Sequence, residues 1–509
     1  MKTRILTYLP TLISCLLLAA CSQNVHIDRH TSCRPPISPD YTEVTLPPNM
    51  APPCFSLPDS CHASRLRAIY RAGDEETTVT TRNGQIAISP SKWKRLVDAA
   101  STITVRLQAQ RGDKWEEYAP FHLYIAKEKI DPYIAYRLIE PGYETWNEMG
   151  IYQRCLENYE ETAILTNKMT GYGCMNCHSF CGQNPEKMLF HLRSDYGGTY
   201  IIEEGQIKKL NTKTPQTISA LVYPSWHPSG NFVAFSVNDT KQMFHTTDPN
   251  RVEVMDYASD VVIYDVKRKQ IVSSPLLSSA TAFETFPTFS PDGRTLYFCS
   301  ADSVSIPGKY DQVKYSLCSI GFDADTRSFG SKADTLYNAR RAGKSVSFPR
   351  VSPDGKFLMF TLSAYGNFSI WHKDADLYLA HLHTNQIRPL SALNSNDVES
   401  YHSWSSNSHW VVFSSRRTDG LYTRPFIAYI DEEGKAHKPF LLPQKEKDHY
   451  TFLMKSYNIP EFISGKVKPP HTTSAGQPGK RRERISPTLF NRGISIFSVS
   501  GVLCSALYY

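Results

Sequence analysis

The chain has 509 residues, 41% hydrophobic and 12% aromatic, a composition that folds rather than one that stays disordered. At about 150 residues per domain this length predicts some three units, which excludes a small scaffold held by disulfides alone. The net charge of +7 sits at the ends, with Lys2 and Arg4 in front and six basic residues against Glu483 beyond Val467, so the neutral span 21–467 has no overall field to draw it to nucleic acid.

Lys2 and Arg4 precede the apolar run Leu12, Ile13, Cys15, Leu16, Leu17 and Leu18, which stops at Ala19 and Ala20. Charged, apolar and small regions in that order predict a secretory signal over 1–20, too short for a membrane span. The run Leu18-Ala19-Ala20-Cys21 resembles a bacterial lipoprotein signal. The resemblance implies a lipidated Cys21 and a chain anchored in the cell envelope. Ser22, where Asp would mark retention at the inner membrane, implies the outer membrane and a periplasmic body. An ordinary secretion signal with a chance cysteine is the other reading. Eight prolines between Pro35 and Pro58 fix φ and remove backbone donors, which predicts a tether over 21–59.

From residue 60 apolar and polar residues alternate. Ile103, Val105 and Leu107 share one strand face, Phe121, Leu123 and Ile125 another, and a helix-like piece, Ser91–Ala100, lies between strands. The expectation for 60–130 is a β-sandwich-like domain. Over 131–187 the residues Tyr152, Cys155, Leu156, Tyr159 and Ala163 recur at helical spacing, which predicts a helical connector.

That connector ends in Cys174-Met175-Asn176-Cys177-His178, the C-x-x-C-H pattern of c-type haem attachment. Two cysteines three apart on a turn reach both vinyl groups of one porphyrin, and the adjacent His178 becomes an axial iron ligand. Composition alone gives on the order of 0.01 chance matches. The expected cofactor is one covalent haem c. Met188 and His191 follow within reach of the other iron face: Met would raise the potential, His would lower it, and an open position would permit ligand binding or catalysis. Met188 reads equally as core packing, and His191, alternating with Leu189, as a solvent-facing strand residue. A redox C-x-x-C, a disulfide or half of a zinc site compete with haem, although apart from Cys181 no further zinc ligand stands nearby.

The second half repeats. Segments beginning Tyr223-Pro224, Phe286-Pro287, Phe348-Pro349 and Tyr401-His402 align without a gap, each running through a turn such as Ser290-Pro291-Asp292-Gly293 into an apolar strand. Pro presets the turn, Asp and Gly accept it, and the strand buries a terminal Phe. A four-stranded unit of this size cannot bury its faces alone, and radial stacking solves that. The repeat resembles the TolB-like (WD40-like) propeller repeat, which implies a propeller of five or six blades over 188–467, with 188–210 as a degenerate blade and Asp-Gly missing from the first and last copies. The fold class is therefore mainly β. Residues 468–509 are a basic tail without an assigned role.

His381 and His383 read as surface residues, and no nucleotide or hydrolase motif is present. Among the remaining cysteines, one bridge within Cys33, Cys54 and Cys61 and one between Cys155 and Cys181 are candidates. The expected function is an envelope haemoprotein passing electrons to or from a protein partner docked on the propeller. The alternative is a non-redox binding or scaffold lipoprotein for an envelope protein or glycan, and a haem-dependent enzyme such as a peroxidase is a third reading.

Overall fold

The computed structural model describes residues 25–141, 147–210, 212 and 217–468. The export signal, Cys21 and the tail past Lys468 lie outside the described residues. No described helix is long and apolar enough to cross a membrane.

Six four-stranded sheets are found among the described residues. Five follow chain order outward from the strands Met175–Phe180, Leu221–Trp226, Ala282–Phe289, Ser345–Val351 and Glu399–Trp404, and are here blades II to VI. Blade I runs Glu161–Thr166, Gly150–Cys155, Tyr133–Ile139 and, innermost, Ser456–Ile463 from the far end of the chain. Tyr133 pairs with Ile463 and Ile139 with Ser456, so the two ends of the ring are stitched together. The fold is mainly β, a six-bladed propeller, and closure leaves no long inner edge exposed.

The aligned repeats are the two inner strands of blades III to VI. Their leading aromatics Tyr223, Phe286, Phe348 and Tyr401 all have φ near +50°, a costly backbone for bulky residues. It persists because each sits in a bulge: Val222 pairs with Ser236 but Ser225 with Ala234, and the same slip recurs in the other blades. The bulges turn the rings onto the propeller axis, where successive centroids lie 4.1, 4.2 and 4.6 Å apart. The turn chemistry is equally regular. The Ser290 hydroxyl donates to Asp292 (2.5 Å) while Asp292 accepts from the amide of Arg294 (3.0 Å). In the last copy the Ser405 hydroxyl donates to Asn407 (2.6 Å), and Ser408 adopts φ +67° in place of glycine, which explains why that departure keeps the hairpin.

Three sequence expectations change. The span 131–187 is not a helical connector: Tyr152 and Cys155 lie on strand Gly150–Cys155, Ala163 lies on Glu161–Thr166, and Leu156 and Tyr159 make the turn between them. The helical spacing arose from reading across a hairpin. The propeller accordingly begins near Tyr133 rather than at 188, because three outer strands of the closing blade precede its inner one. The proline-rich stretch is not a tether either. Ile37, Tyr41, Met50 and Phe55 are buried in one core with the next domain and with Trp410 and Tyr457 of the propeller, while Val44–Leu46 adds a parallel strand beside Phe121–Ile125. The prolines occupy the irregular stretches between these contacts. The 60–130 region supplies five strands of a seven-stranded sheet and one of a separate two-stranded sheet, the others coming from residues 29–56, with helix Pro90–Ala99 burying Trp93, Leu96 and Val97. None of Cys33, Cys54, Cys61, Cys155 or Cys181 is in a disulfide; Cys155 sits on blade I, whereas Cys181 touches the Gly230 turn of blade III.

Candidate functional site

The C-x-x-C-H motif begins one residue before an inner strand, Met175–Phe180, which holds its last four residues in register with the repeat. Asn176 pairs with His191 and Ser179 with Leu189, so Cys177-His178 occupies the two-residue bulge filled elsewhere by Tyr223-Pro224, Phe286-Pro287, Phe348-Pro349, Tyr401-His402 and Ile459-Pro460. The second bulge residue is proline in four blades and histidine in two, His178 of blade II and His402 of blade VI. The residue after it is Ser or Thr in four blades, but Arg350 in blade V and Glu461 in blade I. The four departures fall on adjacent blades, V, VI, I and II.

Those four side chains line one cavity of about 180 Å³ at the channel mouth, with Phe348 and Tyr401 also in its wall. His178 and His402 are each 3% exposed, and burial pushes both down to about 3, with Arg137 acting the same way on His178 and Arg350 on His402. Both rings are neutral at pH 7. Nε2 of His402 donates to the Met359 carbonyl at 3.0 Å, and the Phe348 backbone lies within hydrogen-bond reach of the same ring. His178 hydrogen-bonds the Ile459 backbone, and its Nε2 is buried without a protein partner.

Glu461 accepts from the Phe180 amide at 3.1 and 3.2 Å. Burial pushes its carboxyl up to about 8 despite that bond and the attraction of Arg350, so it is mainly protonated and a donor at neutral pH. Arg350 donates to the Pro349 carbonyl at 2.9 Å and forms an ion pair with none of the described carboxylates. The mouth combines a cation, a protonated acid and two neutral histidines.

The other predicted ligands are elsewhere. Met188 is fully buried in the main core, opposite Phe180. His191 is buried rather than solvent-facing, its Nδ1 3.1 Å from the Thr199 hydroxyl. Neither lines the cavity that His178 lines. Cys174 is buried in the main core, its carbonyl accepting from the Arg193 amide at 2.9 Å.

No known protein family and no curated protein matches the chain. Among solved structures it is similar to oligogalacturonate lyase from Vibrio parahaemolyticus, with TM-score 0.36 and 10% identity over 60% of this chain and 78% of that one. It is also similar to Porphyromonas gingivalis dipeptidyl peptidase 4, with TM-score 0.31 and 10% identity over 59% and 46%. A third likeness is to prolyl oligopeptidase B from Galerina marginata, with TM-score 0.34 and 11% identity over 60% and 44%. The chain spans less than half the length of either peptidase.

The fit to a covalent haem is poor. The expected attachment needs a turn that gathers both cysteines at one porphyrin edge, whereas the motif runs into a bulged strand, Met175–Phe180. Cys174 is committed to the core, and the cavity beside His178 falls below the about 300–1,000 Å³ typical of drug-sized ligand pockets. No group of three potential metal ligands occurs among the described residues. Sequence reading missed Arg350, His402 and Glu461 as site residues. The signal for the first two was present in the gapless alignment, where they replace a hydroxyl and a proline; Glu461 sits in a copy too degenerate to join it.

Proposed function

We propose that the protein is a propeller of the bacterial envelope, anchored through a lipidated Cys21 and facing the periplasm, whose channel mouth binds a small polar ligand. The observation that carries this reading is that the four departures from the repeat, His178, Arg350, His402 and Glu461, fall on adjacent blades and line one cavity. Polar and charged side chains gathered around one concave site are what a small polar ligand would meet. Function in a propeller lies in the site rather than in the fold, and here the site supports binding better than electron transfer.

The redox reading keeps one supporting observation, since an unpartnered Nε2 on His178 is also what iron ligation would use. A single experiment separates the two. The full chain is produced in a host that matures c-type cytochromes, then denatured and examined for a Soret band that stays with the polypeptide. A colourless chain is expected. Covalent haem on the wild type that disappears in Cys177→Ser would overturn the binding proposal. Labelling with a radioactive fatty acid tests the anchor, and label that persists in Cys21→Ser would refute it.

A further inference from the structure

We propose that the loop 449–455, between blade VI and the closing strand, is a second membrane contact that dips Phe452 and Met454 into the boundary between lipid headgroups and acyl chains. This rests on the Cys21 anchor proposed above and adds the face that the body turns to the bilayer.

Exposure is the first observation. Phe452 is 79% exposed and Met454 69%, and the next most exposed large hydrophobic side chain among the described residues is Phe244 at 52%. A single apolar residue on a surface needs no explanation, but two this exposed, two positions apart, form an apolar tip.

The tip is held in shape from beneath. Arg424, 1% exposed, donates to the carbonyls of Tyr450 and Lys455 at 2.9 Å each and to that of Leu453 at 3.1 Å. The Tyr450 hydroxyl donates to the Leu442 carbonyl at 2.7 Å, and Nε2 of His449 lies 2.9 Å from the Tyr457 hydroxyl. The backbone is thus fixed on both sides of Phe452 and Met454, while those two side chains stay outside. A buried guanidinium is costly to desolvate, and this one shapes a tip whose outermost groups are apolar. Charge does not account for the tip. Lys447 pairs with Asp448 at 2.8 Å and Lys455 with Glu140 at 3.5 Å, and Lys445 is offset by Glu446.

The position of the tip selects lipid as what covers it. Ser38, Pro39 and Asp40 line one hollow with Tyr450 and Thr451, so the segment that leads in from Cys21 passes beside the loop. Val25, the first described residue, is four residues on from Cys21, at most about 14 Å of chain. Acylation at Cys21 therefore brings the folded body against the bilayer instead of suspending it above. An interfacial apolar group then needs to sink only about 5–10 Å.

The test reconstitutes the full acylated chain in vesicles of phosphatidylethanolamine and phosphatidylglycerol, with and without bromine on the acyl chains, which quenches indole fluorescence on contact. Phe452→Trp adds one indole to the native seven, and its emission is read as the difference from wild type. Bromine is expected to remove at least half of that added emission. The indole added by Phe244→Trp, at the end of strand Phe232–Phe244 in blade III, should lose less than a tenth. Both positions are exposed, so both variants should fold. If the protein stays with the vesicles and the two added indoles are quenched alike, the membrane contact is overturned and the anchor stands. A chain that carries no acyl group and does not float with the vesicles would overturn both.

Discussion

His178 and His402 occupy the same bulge position in the two blades that flank blade I, and both line the same cavity. Proline fills that position in the other four blades, so the repeat itself supplies a control. His402→Pro should keep the fold, losing the ring's hydrogen bonds to the Met359 and Phe348 backbone, a cost of about 0.5–1.5 kcal/mol each. A melting temperature lowered by only a few degrees is the expected outcome. Loss of the folded state would mean that the bulge depends on the imidazole.

How far the sequence reached is clearest at this bulge. The four repeats were legible because hairpin chemistry is local: Ser, Asp and Gly close the turn and the alternating strand follows. Cys174-Met-Asn-Cys-His178 was legible as a pattern but not as a conformation, since the same five residues can form a turn or a strand. The decision came from pairing with Lys187–Leu192, a tertiary event. Closure of the ring was out of reach for the same reason. Ser456–Ile463 and Tyr133–Ile139 lie more than 300 residues apart, and neither alone signals the other.

Two glycines of the same turn type should respond differently to alanine. Gly293 and Gly355 both have φ +74°, but a Cβ on Gly293 would sit 2.1 Å from Nε2 of His227, whereas one on Gly355 meets nothing within 4 Å. Gly355→Ala carries only the left-handed backbone penalty, about 1–2 kcal/mol. Gly293→Ala adds displacement of the His227 ring, which is also 3.2 Å from the Gly293 carbonyl, and should cost about 1–3 kcal/mol more. Denaturant midpoints of the two variants decide this, and equal losses would mean that the ring moves aside freely.

The stability profile with pH contains two opposing sets of groups. Burial pushes His178, His191 and His402 down to about 3, against about 6.5 in the unfolded chain, so their contribution is complete above about pH 6.5 and is lost as pH falls toward 3. Glu461, pushed up to about 8, and Asp256, pushed up to about 6, favour the folded state when protonated, and that contribution is lost as pH rises from about 4 to 8. Because the sets offset each other, the signs are read from variants. Relative to wild type, His402→Gln should gain about 1.4 kcal/mol for each pH unit between 6 and 4.5, and Glu461→Gln should gain between pH 5 and 8. Parallel denaturation curves across these windows would contradict the assigned protonation states.

Arg137 joins ring closure to the site. It is 2% exposed, and its guanidinium donates to the Met175 carbonyl of blade II and to Asn458 of the closing strand, both at 2.9 Å. A fork is needed to reach two blades at once, and lysine has none. Arg137→Ala should cost about 3–6 kcal/mol, two charge-assisted bonds at roughly 1.5–3 kcal/mol each with little relief from solvent. Arg137→Lys should recover less than half. The same cation helps hold His178 neutral, so in the lysine variant, where the charge remains, the imidazole should stay neutral at pH 6. In Arg137→Met its titration should move upward. Histidine side-chain resonances followed from pH 7 to 4 would show this, and an unmoved His178 in the methionine variant would mean that burial alone sets its state.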